Sequence, residues 1–291
     1  MHLGRCLAFA LAVPALGCTG AVSDPGAAGD AETARTTSAV VIVERNVDAS
    51  GASRVETSAR FVRAAASLSM HEALRAVGAA IDLPPAGSCA SIAALAGGAS
   101  QAGAVPVIDL VDVGAVTLET SGGETRLVPR QLPDVTDVVS GVVYARAAEP
   151  ALLPSGARYV LHVSGGPEVE PFEVTATAPA DPSDVHFGGE DASGVPVTAT
   201  TPVDVAWTPG AADDTIYVDV QPAAFRCTVQ DTAGVTGVAG ESAHATLPAS
   251  LVDEAGTFVV HRVHREGMAA RGLEGGELRF DFSRSVSYAR R

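Results

Sequence analysis

The chain has 291 residues, 47% of them hydrophobic but only 4% aromatic, so Val, Leu, Ile and Ala must fill its cores. Its formal net charge is −15 and all nineteen cations are Arg; without a Lys, Schiff-base chemistry and a P-loop lysine are excluded. A chain this acidic is repelled by phosphate backbones and anionic lipid, so no nucleic-acid partner and no peripheral membrane binding are expected, while cations and basic partners stay open.

Residues 1–17 read as a secretory signal peptide: Arg5 precedes the apolar stretch 6–13, and small residues follow in 14–18. That stretch is far short of the roughly 20 apolar residues of a spanning helix. The four residues Ala15-Leu16-Gly17-Cys18 resemble a bacterial lipobox, in which the cysteine becomes the first mature residue and carries acyl chains. The resemblance implies lipidation at Cys18, and several acyl chains at about 0.8 kcal/mol per buried methylene hold a protein durably to a membrane. Thr19 stands where an Asp would mark inner-membrane retention, which implies an outer-membrane anchor. Loss of the signal leaves 18 Arg against 34 acids, a mature charge of −16.

Residues 18–38 are poor in anything to bury and read as a flexible tether between the anchor and the folded body. The remainder is long enough for two domains of roughly 100 to 150 residues each. In 69–80, Met70, Ala73, Leu74 and Val77, with Ile81 just beyond, recur at helical spacing behind Ser67 or Ser69 as a cap, which predicts one short helix. The run Gly97-Gly98-Ala99-Ser100-Gln101-Ala102-Gly103 reads as a loop.

Strands account for most of the rest. Apolar and polar residues alternate in 172–176, 203–207, 215–220 and, most cleanly, in Glu277-Leu278-Arg279-Phe280-Asp281-Phe282-Ser283. Such alternation predicts antiparallel strands with one dry and one wet face. Gly-rich pairs at 121–124, 164–166, 188–190 and 275–277 lie beside these runs and read as hairpin turns, none of them placed before a helix as a phosphate-cradling loop would be. With no alternating helices, the pattern predicts an all-β chain of two sandwiches, 39–180 and 181–291, divided in the Pro-rich stretch 178–183.

The segment Leu153-Pro154-Ser155-Gly156-Ala157-Arg158-Tyr159-Val160-Leu161-His162-Val163 resembles the tyrosine corner of immunoglobulin-like and fibronectin type III domains. Val203 to Trp207 is similar to the early core strand of that fold, with Trp207 at the centre of the second domain. In 251–260 Phe258 stands where a second corner would have Tyr. Signal, tether and two such domains together resemble the uncharacterised lipoproteins of Gram-negative bacteria with immunoglobulin-like folds. The resemblance implies an exported, outer-membrane-anchored protein, facing the periplasm or the cell surface, that binds an envelope protein or a glycan. It implies no activity.

Candidate chemistry is sparse. Cys6 leaves with the signal and Cys18 is taken by lipid, so Cys89 and Cys227 remain in a compartment that permits a disulfide. Alternation puts Cys227 on the apolar side with Phe225 and Val229, which favours a buried thiol. His261 and His264 fall on opposite faces of one strand, so they do not chelate a common ion unless a bulge intervenes. His162 and Ser164 offer hydrolase residue types without the Gly-x-Ser-x-Gly elbow, and Cys89 with His71 lacks the surroundings of an activated thiolate. Carboxylates at Asp181, Asp184, Glu190, Asp191, Asp213 and Asp214 read as solvated turn acids; calcium, which takes six to eight oxygens, finds no EF-hand spacing. The expectation is therefore a non-catalytic binding or structural protein, with no cofactor and no metal. The alternative is an envelope enzyme or accessory, including a carbohydrate-binding module, whose site is assembled from scattered residues.

Overall fold

In a computed structural model the chain is described over residues 34–97, 107–132, 139–191, 196–199, 203–211, 213–229 and 243–290. The signal, Cys18, most of the tether and residues 98–103 of the expected loop lie outside them. The first half supplies β1 (Arg35–Val47), β2 (Ser53–Ala65), α1 (Met70–Ala76), β3 (Cys89–Ser91), α2 (Ile92–Gly97) and β4 (Ile108–Leu110). It continues with β5 (Val116–Thr120), β6 (Gly123–Arg126), β7 (Val128–Leu132), β8 (Val139–Ala148), β9 (Arg158–Val163) and β10 (Phe172–Thr177). The second half begins with β11 (His186–Phe187), β12 (Glu190–Asp191), β13 (Val197–Ala199), β14 (Val203–Trp207) and β15 (Thr215–Gln221). It ends with β16 (Phe225–Val229), β17 (Ala243–Leu247), a short 3-10 turn, β18 (Ala255–Met268) and β19 (Gly275–Arg290).

The chain is all-β, and the strands of the described residues form one long sheet and two small ones. The long sheet runs β3-β16-β15-β18-β19-β1-β2-β4-β8-β7, with β13 added beside the end of β19. The small sheets are β10-β9-β5-β6 and β12-β11-β14-β17. Most pairings are antiparallel, but β1 lies parallel to β19 from Ser38↔Gly275 to Val47↔Arg284, and β4–β8 and β13–β19 are parallel too.

Each small sheet covers one end of the same face of the long sheet, and parity along β19 shows how. Leu278, Phe280 and Phe282 point into a first core with Val41, Phe61, Tyr159 and Leu161; Val286 and Tyr288, on the same side further along, enter a second core with Trp207, Val218 and Phe187. Its partner β18 repeats the division, with Met268 in the first core and Phe258 and Val260 in the second. At roughly 3.3 Å per residue these strands are more than twice the usual length, and one sandwich would not cover them. Thus where the alternation predicts two consecutive sandwiches, the halves share one sheet, and residues 34–291 form one compact unit. The 178–183 stretch is the crossing from the first small sheet to the second.

A third cluster lies on the other face. Val40, Ile42, Val62 and Ala64 pack beneath Ala73 and Leu74 of α1. Because Val41 and Val43 fill the first core while Val40 and Ile42 fill this one, β1 is dry on both sides over residues 39–43, which explains the unbroken apolar run there. It begins at Arg35, inside the expected tether. Helix α1 has the expected Ser69 cap, closed as a capping box by Glu72, but it ends before Val77. Gly78, at φ 66°, takes the left-handed turn while its N–H donates to Arg75 and that of Ala79 to Leu74, a Schellman stop.

Cys89 and Cys227 form a disulfide between the directly paired strands β3 and β16. Cys227 is buried as well as bridged, so facing the core and pairing across the sheet edge are compatible. The Tyr159 hydroxyl donates to the Pro154 carbonyl at 3.0 Å, the bond expected of the corner, and Trp207 is fully buried. Trp207→Ala should cost roughly 3 to 5 kcal/mol, read from urea denaturation, and the native wild-type emission should be blue-shifted and move red on unfolding. Tyr159→Phe should cost about 1 kcal/mol in the same assay; an unchanged midpoint would show that the bond contributes nothing.

Candidate functional site

The long sheet places two polar assemblies on opposite sides of β18. Its outer face, turned away from both cores, carries Arg226 from β16, Tyr217 and Asp219 from β15, His261 from β18 and Asp281 from β19, in neighbouring register positions. Asp281 is only 8% exposed. It accepts the Tyr217 hydroxyl at 2.9 Å and lies 2.7 Å from His261 Nδ1. The His261 ring stacks on Tyr217 with centroids 4.2 Å apart, and its Nε2 is 3.8 Å from Asp219. Arg226 holds Asp219 with two bonds of 2.8 and 2.7 Å and lays its guanidinium over the Tyr217 ring.

These groups are buried because the segment 77–88 crosses the face above them. Arg279 donates to the Ala79 carbonyl and Arg226 to that of Asp82, while backbone bonds join Gly87 and Ser88 to Thr228. The disulfide lies just beyond. The neighbouring part of the face opens as a pocket of about 220 Å³, lined in part by Glu44, Arg54, Glu56, His261, Asp281 and Ser283. Glu44 stands in register with both Asp281 and Glu56. Although its side chain reaches solvent, partial desolvation and then the Asp281 charge raise its carboxyl above the ordinary value.

On the inner face, between the two cores, β18 presents Arg262 and His264. Arg262 is 2% exposed and donates to the carbonyls of Ala180 and Thr208, tying the crossing and the end of β14 to the hairpin. Its Nε is 3.8 Å from one Asp214 oxygen, whereas the other is 3.0 Å from His264 Nδ1. An Asp213 oxygen comes within 3.7 Å of that same nitrogen. Gly210 leaves the space: a Cβ there would sit 2.5 Å from Asp214 Oδ2 and 2.8 Å from Arg262 Nε.

The remaining sequence candidates disperse. His261 and His264 do lie on opposite faces, one with Asp281 and the other with Asp214. Cys89 is bridged, so it offers no thiol nucleophile to His71, which pairs with Asp82 instead. The Ser164 hydroxyl accepts from the Ala115 amide, and His162 sits between Glu119 and Glu173. Asp181 binds Arg45, Asp184 accepts the Thr208 hydroxyl, and Glu190 accepts the Thr198 amide. The side chain of Asp191, like Cys18, lies outside what is described.

Tyr217, Asp219, Arg226 and Asp281 were not singled out as candidates by residue pattern. A signal was present: the alternation of 215–220 sets Tyr217 and Asp219 on one face, and that of 277–283 sets Asp281 among polar neighbours. No family profile matches this chain, and no curated protein matches it.

Burial by itself would raise Asp281, but the charge and hydrogen bond of His261, with the Tyr217 bond, outweigh it and hold the carboxyl below its ordinary value. A lowered folded-state value stabilises the fold above the unfolded-state value, about 3.9, and is lost as pH falls through the folded-state one. Stability should therefore decline below about pH 4. Asp281→Asn should flatten that decline and cost about 3 kcal/mol at neutral pH by leaving its buried partners uncompensated, both measured as urea midpoints across pH.

Proposed function

We propose that this chain is an exported cell-envelope lipoprotein, anchored through Cys18 to the outer membrane and facing the periplasm or the cell surface. Its body serves a non-catalytic binding or structural role, with an envelope protein or a glycan as partner. The observation that carries the non-catalytic reading is the commitment of polar groups around the outer pocket. His261 is oriented by Asp281, but the pocket's Ser283 hydroxyl donates to the Arg45 carbonyl at 3.3 Å and accepts from Asn46 at 2.9 Å. Asp219 is held by Arg226 in the same way. A nucleophile needs an adjacent base to take its proton, and here the serine proton has another destination.

The anchor is supported by the apolar run that ends at Cys18 and by the tether-like composition that follows. Metabolic labelling with a fatty acid should tag the wild type and miss Cys18→Ser, and the wild type alone should fractionate with outer membrane. Label retained in the variant would reject the anchor. Affinity capture from native envelope with the wild type should then recover a defined protein or glycan, and turnover of envelope substrates by the purified protein would favour the enzyme reading instead.

A further inference from the structure

His162, His261 and His264 each meet two carboxylates, and the geometry separates them. His162 places Nε2 3.3 Å from Glu119 and Nδ1 3.2 Å from Glu173. His261 places Nδ1 2.7 Å from Asp281 and Nε2 3.8 Å from Asp219. In both, the carboxylates lie at opposite edges of the ring, the arrangement of an imidazole bridging two acids, and no single ion reaches all three groups. His264 differs. Both of its carboxylates converge on Nδ1, Asp214 at 3.0 Å and Asp213 at 3.7 Å, and among the described residues these three alone bring ligand atoms within 4.8 Å of one another.

One Nδ1–H satisfies one acceptor, so the second carboxylate is held close to the first without a proton to share. Arg262 offsets part of this charge, but its terminal nitrogens are directed to the Ala180 and Thr208 carbonyls. The cluster borders a cavity of about 490 Å³, and Glu266, two residues beyond His264 on the same face of β18, lines that cavity too. Asp213 is largely exposed, which leaves the convergence point open to solvent on one side.

We propose that His264, Asp213 and Asp214 bind a divalent transition-metal ion of the zinc class. Neutral His264 supplies the Nδ1 lone pair, each aspartate supplies one oxygen, and water completes the shell. The nitrogen donor separates the site from calcium and magnesium, which take oxygen, and a set of one imidazole and two carboxylates suits zinc or its neighbours. The ion would clamp the loop after β14 to the long hairpin where the two cores meet, next to the Arg262 tie.

The test titrates Zn²⁺ into the chelator-stripped full-length protein by calorimetry and uses Co²⁺ absorption as a second probe. The wild type should take one zinc per chain. Asp213→Asn, at an exposed position, should keep the metal-free melting temperature yet bind about tenfold or more weakly, because its oxygen is a ligand. His264→Gln should abolish saturable binding and the cobalt d–d bands, while His162→Gln should bind as the wild type. Absence of saturable zinc binding would overturn the proposal. So would binding that is unchanged in Asp213→Asn, or an affinity for Ca²⁺ equal to that for Zn²⁺.

Discussion

The β18–β19 hairpin runs through both hydrophobic cores, and the pairing of β1 along β19 decides where every other element can sit. Residues of one parity on β19 fill the first core as far as Phe282 and the second from Val286 onward. Between those patches the same face carries Arg284, and on β18 it carries Arg262 and His264. The two small sheets cover the apolar patches and leave this polar interval between them. The buried Arg262 occupies it, its terminal nitrogens donating to the Ala180 and Thr208 carbonyls while its Nε faces Asp214.

Charge is handled differently on the outer face. Asp219, Asp281, His261 and Arg226 are withdrawn from water beneath the 77–88 segment, at a desolvation cost that their mutual attraction repays only in good geometry. Bidentate pairing of Arg226 with Asp219, ring stacking and the Tyr217 hydroxyl supply that geometry. The covering segment is in turn held by Arg226 and Arg279, so the network and its cover stabilise each other. The same mutual commitment underlies the non-catalytic reading of the pocket beside it.

The alternation of apolar and polar residues identified β14 at its bounds, β10 and β15 to within one residue and the first half of β19, because a strand with one dry face repeats with period two. The corner bond of Tyr159, the cap of α1 and the separation of His261 from His264 were legible for similar local reasons. What alternation cannot state is whether a polar face is covered. Tyr217 and Asp281 read as members of wet faces, yet a segment more than a hundred residues distant in sequence buries them. The shared sheet was hidden likewise, since the β1–β19 pairing joins the two ends of the folded body. Its one local trace was the apolar run 39–43, too continuous for a strand with a solvated side.

That pairing also bears on the order in which the fold is assembled. A chain that emerges from its amino end exposes β1 first, while the strand that lies along one of its sides is the last to appear. Until then β1 has β2 on one edge and nothing lasting on the other, and the first core lacks Leu278, Phe280 and Phe282. Contacts of such large sequence separation carry a high loop-closure entropy and slow the collapse. The half read as a first sandwich therefore lacks three of its core side chains until β19 has paired with β1.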